Sequence, residues 1–179
     1  MNDEIGLLFV RAANQYLTDS FWPRLSLALE KMSDEDLWWR PNEASNSAGN
    51  LVLHLCGNAR QWIVAGVGGG PDTRDRAAEF ARRDGIGRGE LLSLLRETVA
   101  DVDATLAELD HSLDADAEAP LQRRCRPQGF DQTVLDAVFH VVEHFSYHTG
   151  QIVLLAKWHA GERIQLYDDA RLNDGSGGS

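Results

Sequence analysis

From Gln132 to Ala160 the side chains of Val134, Val138, Val141, Phe145, His148, Ile152 and Leu155 recur at alternating steps of four and three. This spacing draws one stripe along a helix and none along a strand, whose faces alternate with period two. A stripe this long must be buried against comparable elements, so it commits the chain to helix-on-helix packing. Two shorter stretches repeat the pattern: Leu91, Leu95, Thr98, Val102, Thr105 and Leu109 within 89–111, and Leu51, Leu55, Asn58, Trp62 and Ala65 after the cap residues Ser45-Asn46-Ser47. A first helical stretch from Asp3 to Met32 carries Ile5, Leu8, Phe9, Ala12, Tyr16 and Leu17, and Pro23 is expected to kink or divide it. The expected fold is all-α, an antiparallel four-helix bundle with long crossover connections over 67–89 and 112–131.

The remaining segments read as connections. Ser33-Asp34-Glu35-Asp36 caps a short turn before the loop Leu37-Trp38-Trp39-Arg40-Pro41, whose aromatics plug one end of the fold. Gly66 to Pro71 ends the second helix, and Ile164 to Tyr167 reads as a short extended segment. Residues 1–168 are assigned to a single domain and 169–179, rich in Gly and Ser, to a flexible C-terminal tail.

Composition narrows the function. A net charge of -11 argues against nucleic-acid or anionic-membrane partners, because a phosphate backbone rewards a basic footprint. No apolar run approaches the roughly 18 residues of a membrane span. The start Met1-Asn2-Asp3-Glu4 lacks the basic residues of a signal peptide. Cys56 and Cys125 lie outside any CxxC pair and read as reduced thiols, one in a helix and one in a loop. These features point to the cytoplasm.

The six histidines carry the chemical information. His140, His144 and His148 lie four residues apart, so neighbouring imidazoles sit one turn from each other. Adjacent rings can converge on one ion, whereas eight residues rise about 12 Å and separate the outer two. On a helical wheel His148 falls about 37° from the centre of the apolar stripe, His144 about 77° and His140 about 117°. The pair that looks inward is His144 and His148, with His140 at the edge or outside.

A third ligand must come from a facing helix. His54 lies in Leu51-Val52-Leu53-His54-Leu55-Cys56, the most apolar part of the second helix, where a buried imidazole requires a partner. A hydrogen-bonded core histidine and a metal ligand both meet that requirement; an inward HxxxH pair across the core favours the ligand. Asn58, one turn after His54, is a candidate polar helper, and a buried Asn bridging helices would look the same. Thr149, Gln151 and Tyr147 are candidates to orient the ligands. His111 and His159 fall near helix C-termini, where a dipole or structural role is expected.

His140-Val141-Val142-Glu143-His144 also fits the HxxEH pattern of inverted zincins. That site needs a further acidic ligand well downstream, and only 35 residues follow His144. The wheel points Glu143 about 177° from the stripe, towards solvent.

The stretch Asn46 to Ile63, built around His54, resembles the second helix of the DinB-like superfamily. His140 to Ile152, with its HxxxHxGQI ending, resembles that superfamily's fourth helix. Leu37-Trp38-Trp39-Arg40-Pro41 and Arg76-Ala77-Ala78-Glu79-Phe80 agree with one of its uncharacterised branches, and the likeness spans most of residues 5–160. The resemblance implies an antiparallel four-helix bundle and a divalent metal held by His54, His144 and His148, with His140 matching a histidine of no fixed role. It implies relatives that include transferases and isomerases using low-molecular-weight bacterial thiols, and it implies dimers.

Three neutral histidines leave a coordination position open, the pattern of catalytic sites. The expected function is a divalent-metal-dependent enzyme acting on a small-molecule substrate, a thiol S-transferase or a hydrolase in type, with Zn, Ni, Fe or Mn as the ion. The alternatives are a non-catalytic bundle in which the metal is structural, and a bundle without metal.

Overall fold

A computed structural model describes residues 2–114, 120–161 and 164–166. Its elements in chain order are α1 (Asn2–Gln15), a π-helical segment (Tyr16–Phe21), α2 (Trp22–Glu30), α3 (Asp34–Trp38), α4 (Ala48–Ala59), a second π-helical segment (Arg60–Val67), α5 (Arg76–Ala81), α6 (Arg88–Asp114), β1 (Arg124–Cys125), β2 (Gln132–Thr133) and α7 (Val134–Ala160). Short 3-10 turns at Pro120–Gln122 and Pro127–Gly129 flank β1. The expected all-α architecture forms, with four helical rods: 2–30, 48–67, α6 and α7.

The rods are ordered by their contacts. Rod one packs on α6 and α7, and so does rod two. Arg11 reaches Asp110 while Asn14 reaches Asp103, so rod one and α6 run antiparallel. His54 meets His144 while Asn58 meets His140, so rod two and α7 are antiparallel as well. Arg60 bonds Thr98 and Gly68 lies against Thr105, which makes rod two and α6 parallel. Two rods running the same way need a connection that travels the length of the bundle. Residues 68–87 make it, passing back along rod two from Gln61–Asp72 to Asn50–Arg82.

The apolar stripes meet where their spacing sends them. Leu51, Leu55, Leu91, Leu95, Val102, Val134, Val138, Val141, Phe145 and Ile152 are all buried in one core cluster. Rod two and α7 begin with capping boxes: Ser47, one of the cap residues the sequence offers, and Thr133 accept the N–H of Asn50 and Asp136 and are bonded in return. Ser47 is fully buried, and Asn50 also donates from Nδ2 to the carbonyls of Glu79 and Arg82 on the crossover. Ser47→Ala is expected to cost about 1 kcal/mol in urea unfolding, in line with a lost N-cap; an unchanged midpoint would show that Asn50 alone holds this end.

Four local expectations are corrected. The irregularity in the first rod precedes Pro23: residues 16–21 form the π segment, and Pro23 sits in the first turn of α2. Proline removes an N–H and crowds the carbonyl four residues back, and a wider turn just before it relieves that crowding. Asp34–Trp38, read as turn and loop, is a one-turn helix with a Ser33–Asp36 capping box. The 112–131 connection is not all loop, since Arg124–Cys125 pairs antiparallel with Gln132–Thr133. Ile164, Gln165 and Leu166 form no strand; Ile164 is buried in the core. Tyr167 and the 169–179 tail lie outside the described residues. Among those described, no helix is long and apolar enough to cross a membrane.

Candidate metal centre

Rod two faces α7 and sets its one histidine, His54, against the histidines that α7 carries at successive turns. His54 and His148 are buried and His144 is half-buried, and ring nitrogens of the three all lie within 4.8 Å of one another. The Nε2 atoms of His54 and His144 are 2.9 Å apart. His148 packs edge-on to both rings, at 5.2 Å from His54 and 4.4 Å from His144. These are the residues the sequence singles out, and as a set of nitrogen donors they could hold a divalent ion.

The inner ends of the rings are free to converge because the outer ends are occupied. Gln151 Oε1 accepts a 2.6 Å bond from His148 Nδ1, which leaves Nε2 of that ring as the donor atom. His54 Nδ1 lies 2.9 Å from Glu79 Oε2 and 3.0 Å from Arg74 Nη2. Glu79 and Arg74 form a buried ion pair, with Nε to Oε1 at 2.7 Å. Phe80, from the same turn, packs 4.7 Å from the His54 ring.

Sequence reasoning gave Glu79 and Arg74 no role at the site; they lie in the crossover, where Glu79 figured only within the Arg76–Phe80 stretch that resembles an uncharacterised branch of the superfamily. One local signal was present. Gly57 interrupts an apolar helix three residues after His54, and a Cβ there would collide with Glu79 Oε1. A glycine inside a helix costs stability and marks a close approach.

The other candidates divide. His140 does not point outward: its Nε2 is 3.2 Å from Asn58 Nδ2, and its ring stacks 3.9 Å from Trp62. It is half-buried at the rim of the seam and is not one of the converging three. Asn58 therefore bonds His140 rather than the trio, and its Oδ1 is buried with no partner among the described residues. Thr149 Oγ1 likewise orients nothing, and Tyr147 is exposed with its ring 5.0 Å from His148. Glu143 is exposed, as expected, so the HxxEH pattern contributes one of the three histidines and no base among them.

His111 bonds the Ala107 carbonyl at 2.7 Å. His159 pairs with Asp36 at 2.9 Å, tying the end of α7 to the α3 cap. Cys56 is buried and its thiol is pushed up to about 12 by burial, which makes it inert. Burial also raises Cys125. A cleft of about 460 Å³ lies between the crossover and rods two and three, lined by Leu53, Arg60, Gln61, Leu94, Arg74 and Glu79. Its lining includes Arg74 and Glu79 and none of the histidines.

Electrostatics keep the imidazoles of α7 in ligand form. Burial, aided by the neighbouring rings, pushes His144 down to about 3, and burial lowers His148 and His140 as well. Burial alone would raise Glu79, but hydrogen bonds and charge from Arg74 and His54 bring its carboxyl below the usual range. A histidine depressed in the fold leaves the unfolded chain to bind the proton first. Its contribution is complete above the ordinary value of 6.5 and is lost as pH falls towards about 3. Glu79 adds a loss in the same direction below its ordinary 4.5. The urea midpoint of metal-free protein is therefore expected to fall steadily between neutral pH and pH 4; a flat profile would contradict the neutral-histidine assignment.

Residues 15–161 match the family model described as mycothiol-S-transferase. The crystal structure of a DinB-like protein, YjoA of Bacillus subtilis, shares the fold with a TM-score of 0.63 and 18% identity, over 86% of this chain and 95% of that one. No curated protein matches the chain. The matched model covers every rod but the first half of rod one, together with all four seam histidines, and the chain belongs to the mycothiol-S-transferase family of the DinB-like superfamily.

Proposed function

We propose that the protein is a divalent-metal-dependent transferase that joins a low-molecular-weight thiol, through its sulfur and with loss of the thiol proton, to a small electrophile. The observation that carries this reading is the convergence of His54, His144 and His148, the first and last buried and His144 half-buried, with ring nitrogens within 4.8 Å. The family's description supplies the thiol class, with mycothiol as the first candidate. A divalent ion held by these histidines supplies a Lewis acid beside which a thiol ionises at neutral pH. The chain's own part is to bind and orient. Gln151 and Glu79 hold two of the rings from behind, and Phe80 covers His54 against water.

Among the described His, Cys, Asp and Glu residues the group numbers three, and structural sites are closed by four protein ligands. That count favours a catalytic centre over a purely structural metal. Zn, Ni, Fe and Mn all suit three imidazoles. With its two cysteines free, the protein is assigned to the cytoplasm.

We assign it a homodimeric state, supported by exposed Leu135, Phe139, Leu154 and Trp158 on α7 and by exposed Tyr16 on rod one, which lines one groove with Phe139. Equilibrium sedimentation reads that state directly.

Elemental analysis followed by a screen of mycothiol and other small thiols against electrophiles tests the function, with His144→Ala as the blank. Thiol consumption that depends on bound metal and vanishes in the blank is expected. Bound metal without thiol turnover would leave the structural-metal reading in its place, and absence of bound metal would remove both.

A further inference from the structure

We propose that Glu79 is a positioning residue that selects the Nδ1–H tautomer of His54, so that its Nε2 lone pair faces the point shared with His144 and His148. This rests on the metal reading for its purpose, but the tautomer itself is a property of the metal-free protein.

His54 Nδ1 has two neighbours at almost equal distance, and they favour opposite tautomers. Glu79 Oε2, at 2.9 Å, accepts only; Arg74 Nη2, at 3.0 Å, donates only. The carboxylate decides between them. Without a hydrogen on Nδ1, a ring lone pair would face a carboxylate lone pair at 2.9 Å inside the protein, two acceptors with no proton between them. With the hydrogen there, the contact becomes a charge-assisted bond. Arg74 loses little by this, because its donors already have acceptors: Nε and Nη2 on Glu79 at 2.7 and 2.9 Å, and Nη1 on Gln61 Oε1 at 2.9 Å.

The far side of the ring agrees. His54 Nε2 and His144 Nε2 are 2.9 Å apart, so one hydrogen lies between them. With His54 protonated at Nδ1, that hydrogen belongs to His144, and His54 presents the lone pair.

The backbone is built to bring Glu79 to this position. Gly57 leaves the opening that Oε1 enters, Asn50 holds the Glu79 carbonyl at 2.9 Å, and Asp75 caps α5 through the Ala78 N–H. The crossover thus delivers an anion to the outer nitrogen of a ring on rod two.

The test uses the full chain and zinc alone as the probe. Ring nitrogen shifts of His54 in metal-free protein are expected to report Nδ1–H in wild type and in Glu79→Gln, whose amide oxygen still accepts. Glu79→Leu is expected to lose that preference and to bind zinc about ten- to hundredfold more weakly, with Gln restoring most of the affinity. Gly57→Ala, which displaces Glu79 without altering it, is expected to behave as Glu79→Leu. A Nε2–H signal in metal-free wild type overturns the proposal, as does a Leu variant with unchanged tautomer and affinity. If wild type shows Nδ1–H and binds no zinc, the metal reading fails while the tautomer assignment stands. Should Glu79→Leu not fold, the wild-type shifts and the Gln variant still decide.

Discussion

His144→Ala is expected to weaken divalent-metal binding more than about hundredfold, beyond what loss of an orienting partner costs. The reason is geometric. His144 Nε2 lies 2.9 Å from His54 Nε2, and its ring centroid is 4.8 Å from His54 and 4.4 Å from His148, against 5.2 Å between those two, so it sits closest to both others. Two imidazoles from different helices would remain, a donor set that holds an ion far less well than three. His144 is also half-buried, so truncating it leaves a partly solvated gap rather than a sealed cavity, and stability should change little. His140→Ala is the matching control. It removes a ring of the same chemistry one turn away, stacked on Trp62 and bonded to Asn58, outside the converging set. Competition against a chromophoric chelator measures both variants. Equal losses in the two would mean that the ion, if bound, uses the HxxEH pair instead.

The rods were legible because their information is local. Val134 to Leu155 or Leu91 to Leu109 need only one helix's periodicity to be read, and burial in the core follows from it. The converging histidines were legible for the same reason, once His54 in its apolar surroundings was set against the inward pair on α7.

What was not legible depends on a second element. The wheel placed His140 at the edge or outside, without deciding which, because it measures the angle to a helix's own stripe. It knows nothing of Trp62 and Asn58, which reach across from rod two and enclose the ring. Arg74 and Glu79 are charged residues in a polar segment, and nothing in their spacing says that the segment lies along rod two. Only the parallel direction of rod two and α6, a property of the whole topology, forces it there. Gly57 was the one residue whose local oddity pointed to the contact. The β1–β2 bridge, two residues to a strand, is too short to show a period of two.

Arg74→Ala is expected to destabilise the metal-free protein by about 3 kcal/mol, towards the lower end of the range for breaking a buried pair. The Arg74 side chain is 3% exposed and that of Glu79 is 9%, so removing the guanidinium strands a carboxylate away from water. The cost is held to the lower end by His54, whose Nδ1 remains 2.9 Å from Glu79 as a hydrogen-bond partner. Replacing both partners, as Arg74→Met with Glu79→Leu, removes the desolvation of both charges and is expected to recover most of the loss. Urea unfolding measures each variant. A loss under about 1 kcal/mol for Arg74→Ala would mean that the pair behaves like one at the surface. The double variant then separates two roles that the single ones confound. Its restored stability should not restore zinc affinity, because the acceptor that holds the hydrogen on His54 Nδ1 is gone while the packing around it is not.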